Sequence, residues 1–231
     1  MEENLIRPYF SQETDILIQK LFIIKSHCML WSQLYIGTFV IFLSNYITII
    51  NDFLKSQLGI SLLFISINAL FIHSAILYSH YETIKKENNQ YLYQTIFTLL
   101  VLYPSSTLSV LYYYEPFLIF GFTNVIILSG LILYNYQGLI DYNFLTNYKL
   151  LPLLTLVSTG LIYPFVVFNN MAIFSIVASL LFSTYVIYNT IAIVNGRLKH
   201  VHFNNEDYII SSCVSYLNII YIFDRFFKRL K

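Results

Sequence analysis

The chain has 231 residues, 57% of them hydrophobic and 18% aromatic, with only 11% charged and a formal net charge of +1. Soluble domains carry about 25% charged residues, so a water-facing surface cannot be covered here, whereas a lipid-facing one can. The small net charge argues against nucleic acid as a partner, and Cys28 and Cys213 lie far apart in apolar runs without CxxC spacing, so neither a disulfide framework nor a zinc site is expected.

In chain order, residues 1–26 are polar and lack a short apolar stretch followed by a small-residue cleavage site. A cleaved signal peptide is therefore not expected, and 1–26 reads as a polar cytosolic segment. Residues 27–231 read as a single membrane-embedded helical domain. A spanning helix needs about 20 mostly apolar residues. Six runs qualify: 28–50, 58–78, 91–112, 116–136, 148–168 and 171–194. Between them lie NDFLKSQ (51–57), SHYETIKKENNQ (79–90), YYEP (113–116), QGLIDYNFLTN (137–147) and NN (169–170). Such short links make successive helices antiparallel neighbours in a bundle. Pro104, Pro152 and Pro164 fall within the spans, where they are expected to kink them.

A seventh helix is expected over 207–228. Asn204 before it and Asp207 at its first position have the spacing of a capped start. Its apolar core, Tyr208 to Phe223, is short for a full crossing, so it either spans or dips in and returns. The sequence thus predicts an all-α integral membrane bundle of six spanning helices plus this seventh, spanning or re-entrant, helix. Loop charge orients it. With the N-terminus in the cytosol, Arg7, Lys20, Lys25, Lys85, Lys86, Lys149, Arg197 and Lys199 fall on that side. Lys55 alone falls opposite, the cations of the last segment apart. The positive-inside bias therefore places the N-terminus in the cytosol and favours a re-entrant last segment.

Few ionisable groups occur within the spans. His73 is the clearest, and its default reading is a hydrogen-bonded bundle residue. No His-Glu-x-x-His, Gly-x-Ser-x-Gly or phosphate-cradling glycine loop occurs, so an enzyme is not expected, and no cofactor. Cys28 and Cys213 read as inert packing residues, and His200 and His202 as solvated loop residues. The polar side chains left within spans are Gln33, Asn68, Asn124, Asn189 and Asn218. The plain reading of each is interhelical glue, contributing about 0.6–2 kcal/mol. Together with His73, the first three could also line a polar path.

One resemblance adds to this. EDYIISSCVSYLNIIYIFDRFFKRL, starting at Glu206, resembles the C-terminal signature of the Bax inhibitor-1 (transmembrane Bax-inhibitor-motif) family. LLFSTYVIYNTIAI resembles that family's sixth helix, and FIIKSHCMLWSQL (22–34) the start of the first helix in its Golgi anti-apoptotic branch. IFTLL (96–100) and LYNYQGLIDY (133–142) fit their places in order. Some large DNA viruses carry relatives of that branch, and the wealth of Ile, Asn, Tyr and Phe suits such an origin.

The resemblance implies a protein of Golgi or endoplasmic reticulum membranes that inhibits apoptosis and modulates calcium leak from stores. It implies the lipid bilayer, permeant calcium ions and membrane proteins of the cell-death or calcium-store machinery as partners. In the family, two facing aspartates on the sixth and seventh helices share a proton and serve as pH sensor and latch. Here Asn189 and Asn218 stand at those positions. The resemblance thus implies a latch that keeps its contact and loses its charge. The basic tail, Arg225, Lys228, Arg229 and Lys231, reads as a cytosolic element or as an anchor at anionic headgroups. The alternative reading is a non-conducting membrane adaptor that restrains cell death by binding other membrane proteins.

Overall fold

The computed structural model describes residues 15–80, 83–84, 89–137, 144–165, 169–194 and 208–217. Every element within them is helical: α1 Asp15–Tyr46, α2 Thr48–Lys55, α3 Gln57–Ser79, α4 Gln90–Leu111, α5 Tyr114–Gln137, α6 Phe144–Ile162, α7 Asn170–Val194 and α8 Tyr208–Leu217. A 3-10 turn, Tyr163–Phe165, follows α6. No strand occurs among the described residues. Five segments are long and apolar enough to cross a membrane: Lys20–Tyr46, Gln57–Leu77, Gln90–Leu111, Tyr114–Gln137 and Asn170–Ala192. The chain therefore has the make-up of a multi-pass helical membrane protein. In lipid only such helices satisfy every backbone group within the segment.

Several boundaries differ from the sequence reading. The first helix starts at Asp15, well inside the segment expected to be polar and separate from the membrane domain. Its first turns mix polar and apolar residues, and Phe22 and Ile23 are 1% and 0% exposed, so burial of these two side chains holds this end of the helix on the bundle. The helix ends at Tyr46, short of residue 50, and most of the link expected at 51–57 is α2. Leu54 of α2 is buried while Ile49 and Phe53 are exposed, so α2 lies against the bundle with apolar side chains also facing outward. Pro164 lies in the 3-10 turn that closes α6, not inside a span, because its missing N–H cannot continue the helix. The span expected at 148–168 corresponds to α6, whose apolar stretch is Lys149–Ile162. Helix α5 starts two residues early, at Tyr114, with Pro116 in its first turn, where no N–H is needed.

Two helix starts are capped by side chains. Ser56 Oγ accepts from the Gly59 N–H at 3.1 Å, and Asn169 Oδ1 from the Ala172 N–H at 2.8 Å. Hydroxyls inside the helices bond their own backbone: Thr107 Oγ1 donates to Tyr103 O and Ser129 Oγ to Val125 O. That lets buried serine and threonine sit in an apolar medium without a lost proton.

Side-chain bonds fix the register of the bundle. Gln33 and Asn45 of α1 donate to Thr98 and Ser109 of α4, so these two helices run parallel. Trp31 Nε1 donates to Ser129 Oγ at 2.8 Å, and Thr38 meets Gly121, so α5 runs antiparallel to α1. Ser179 and Ser183 of α7 donate to Phe120 O and Asn124 Oδ1, so α5 and α7 are parallel. Tyr103 of α4 donates to Gly59 O, and His73 of α3 bonds Tyr93 O, so α3 is antiparallel to α4. The apolar core lies where α1, α5, α6 and α7 meet, around Leu30, Leu34, Ile127, Leu131, Leu151 and Ile187.

Two glycines mark opposite tolerances. A Cβ on Gly59 would stand 2.8 Å from Leu54 O and 2.9 Å from Leu54 Cα, which are backbone atoms and cannot move aside. Nothing lies within 4 Å of a Cβ on Gly160. Gly59→Ala is expected to destabilise the folded protein by about 1–3 kcal/mol. Gly160→Ala is expected to be neutral or mildly stabilising. The fraction folded across a denaturant series, compared for the two variants, checks this ordering.

Candidate functional site

Helix α1 carries a row of buried polar side chains. Lys20, Ser26, His27, Gln33, Thr38 and Ser44 are all less than one-tenth exposed. Ser26 and Gln33 are two helical turns apart and so share a face. This row reaches three other helices near the end where α1, α4 and α8 begin. Ser26 Oγ lies 3.0 Å from Ser211 Oγ on α8. Lys25 Nζ stands 5.1 Å above the Tyr208 ring, a cation–π contact. The Tyr208 hydroxyl in turn lies 3.3 Å from that of Tyr91 on α4.

His27 is 2% exposed, and its Nε2 lies 3.2 Å from Thr190 Oγ1 on α7. The Thr190 hydroxyl already donates to Val186 O at 2.8 Å. Thr190 must therefore accept, and His27 donates through Nε2–H. That tautomer leaves Nδ1 as a bare acceptor, and it has no hydrogen-bond partner. Gln33 repeats the pattern. Its Nε2 donates to Thr98 Oγ1 at 2.9 Å, while its Oε1 has no hydrogen-bond partner. The Cys213 thiol comes near the Gln33 side chain, but a thiol is a weak donor and does not satisfy that oxygen. Gln90 Oε1 is likewise buried without a partner, and the parallel register of α1 and α4 sets Gln90 near the level of Ser26. Asn135, in the last turn of α5, is fully buried with neither amide atom bonded.

A cavity of about 340 Å³ opens beyond Gln33, between α1, α4, α5 and α7. Its walls are mostly apolar, with Gln33, Thr38, Thr98, Ser105 and Ser175 as the polar lining.

Gln33 thus lies at the junction of the buried row and the cavity. Asn189 is buried, 4% exposed, on α7 next to Thr190, and it is engaged within the protein. Asn124 is fully buried between α5 and α7; its Nδ2 donates to Phe120 O and its Oδ1 accepts from Ser183. His73 is 7% exposed, bonded to Tyr93 O at 3.0 Å and stacked on the Tyr93 ring. Asn68 departs from the expected path: it is exposed on α3 and donates only to its own helix, at Phe64 O. Cys28, expected to pack inside, is exposed, whereas Cys213 is buried. Asn218, Arg225, Lys228, Arg229 and Lys231 lie outside the described residues, as do His200 and His202.

The path candidates do not share one hydrogen-bond network. Gln33 bonds across α1 and α4, His73 across α3 and α4, and Asn124 across α5 and α7. Ser26, His27, Thr190 and Ser211 were not marked out by the sequence reading. The signal for Ser26 and His27 was present as the SHxxxxxQ spacing at 26–33, which places hydrogen-bonding groups in an otherwise apolar stretch of helix; Thr190 and Ser211 had no such signal. Among the described residues no group of three or more His, Cys, Asp and Glu side chains could hold a metal ion. No family model matches the chain, and neither a curated protein nor a solved structure matches it.

Burial separates two asparagines that read alike in sequence. Asn124→Leu removes the acceptor of Ser183 and is expected to destabilise the protein by about 1–2 kcal/mol. Asn68→Leu, on an outer face, is expected to be neutral or stabilising. Unfolding of the two variants in lipid-detergent mixtures checks the contrast.

Proposed function

We propose that the chain is a Bax inhibitor-1-type membrane protein that restrains cell death by modulating calcium leak from Golgi or endoplasmic reticulum stores. In this reading six helices span the membrane, the seventh spans or re-enters, and the N-terminus is cytosolic. Asn189 and Asn218 replace the family's pH-sensing carboxylate pair. The basic tail, Arg225 to Lys231, is then a cytosolic element.

The observation that supports a cation path best is the set of buried acceptors without donors: His27 Nδ1, Gln33 Oε1 and Gln90 Oε1. A hydrated or partly dehydrated cation complements oxygen and nitrogen acceptors that no protein donor fills. None of these three groups is an acid, so attraction for a divalent ion is weaker than in a carboxylate-lined path. Two facing carboxylates titrate as a coupled pair, whereas an amide pair does not titrate at all.

The second reading, a non-conducting adaptor, is favoured by a different observation. Gln33, His73 and Asn124 each bond across a separate helix pair, as interhelical glue does.

Calcium efflux from proteoliposomes at several pH values separates the two. The first reading predicts a leak that is flat with pH in the native protein and pH-dependent in an Asn189→Asp, Asn218→Asp variant. A native leak that titrates near neutral pH contradicts the replaced sensor. No leak from either protein contradicts conduction and leaves the adaptor.

A further inference from the structure

The cavity between α1, α4, α5 and α7 has an unusual hydrogen-bonding balance. All four lining hydroxyls use their protons inside their own helices. Thr38 donates to Leu34 O, Thr98 to Gln94 O, Ser105 to Val101 O and Ser175 to Met171 O. Each hydroxyl oxygen retains lone pairs, and so remains an acceptor. Thr98 spends one lone pair on the Gln33 amide, and Thr38 is pressed against Gly121, where a Cβ would overlap its side chain. Ser105 and Ser175 are left as acceptors lining the cavity. At most one amide N–H of Gln33 remains as a donor. The rest of the wall is apolar and aromatic, with Phe97, Phe117, Phe120 and Phe174 contributing. Phe174 is 69% exposed, so the cavity meets the outer surface of the bundle, which faces lipid along these helices.

A volume of about 340 Å³ lies in the range of small-ligand sites, roughly 300–1,000 Å³. The chemistry of the lining selects the occupant. An alkane leaves the acceptors unfilled, and a carbonyl or carboxylate brings a further acceptor against them. A hydroxyl supplies the missing proton. We propose that this cavity is a binding site for a hydroxyl-bearing apolar molecule drawn from the surrounding bilayer, its chain against the phenylalanines and its O–H donated to Ser105 or Ser175. The proposal does not depend on calcium conduction, and its test reads no ion flux.

Trp31, the only tryptophan, lies one helical turn from the cavity-lining Leu34 on α1 and serves as a fluorescent reporter. The full chain in nanodiscs is titrated with 12-bromododecan-1-ol, whose bromine quenches nearby indole. The saturable part of the quenching is then competed with 1-dodecanol or with dodecane. One good hydrogen bond in the cavity predicts that 1-dodecanol competes at about tenfold lower concentration than dodecane. A Ser105→Ala, Ser175→Ala variant is expected to lose most of that difference while keeping the cavity. An Ala178→Phe variant, which fills the cavity from α7, is expected to lose the saturable part altogether. The proposal is overturned if native quenching has no saturable part, if dodecane competes as well as 1-dodecanol, or if the difference survives the double serine change. A saturable part that survives Ala178→Phe places the ligand elsewhere and overturns it too.

Discussion

Helix α1 holds the bundle together because, among the described residues, its polar side chains reach four other helices. Ser26 meets α8, His27 meets α7, Trp31 meets α5, and Gln33 and Asn45 meet α4. In a membrane there is no hydrophobic force between helices, since lipid tails are as apolar as leucine. Close packing and hydrogen bonds across helix pairs must supply the specificity. An apolar chain without this row would keep its helices and lose the register between them.

The same constraint explains the many serines and threonines. They occur on nearly every helix, and most spend their hydroxyl proton on a carbonyl three or four residues earlier in the chain. The consequence is an interior in which several acceptors lack donors, although the Asn135 amide and the Ser106 and Thr123 hydroxyls also lie buried without partners. Bare amide oxygens at Gln33 and Gln90, the bare His27 nitrogen and the hydroxyl lone pairs of the cavity all have this character. Cations and hydroxyl-bearing molecules are the partners such an interior suits, and neither requires an acid or a metal cluster.

Long apolar runs made four helices legible in the sequence to within about two residues: α3, α4, α5 and α7 match the expected 58–78, 91–112, 116–136 and 171–194 closely. The start of α1 was hidden because hydropathy reports the medium and not the backbone. Asp15 to Lys25 intersperses Asp15, Gln19, Lys20 and Lys25 among seven Ile, Leu and Phe residues and is helical throughout, with Phe22 and Ile23 turned inward. Helix α2 was hidden because its eight residues are too short and too mixed for a span. Among the path candidates, burial was legible for Gln33, His73, Asn124 and Asn189 from their setting within apolar helices. Asn68 has the same setting but faces outward, a matter of rotation about the helix axis. With apolar residues on all faces of α3, no stripe marks which side turns inward. Ser26 and His27 were passed over because a small hydroxyl and a lone imidazole look ordinary until a partner from a distant helix arrives.

The contact between the two ends of the chain is the most demanding part of this arrangement, since residues 26 and 211 belong to the first and last described helices. Its direct test is cross-linking in membranes. With Cys28 and Cys213 replaced by alanine, a Ser26→Cys, Ser211→Cys variant is oxidised and compared with a Ser26→Cys, Gly160→Cys control. Hydroxyls 3.0 Å apart put the two Cβ atoms near the separation a disulfide needs, about 3.5–4.5 Å. Rapid, near-complete cross-linking of the first pair and none of the control is the expected result. Failure of the first pair to cross-link in correctly inserted protein contradicts the placement of α8 against α1, and with it the bundle organised around α1.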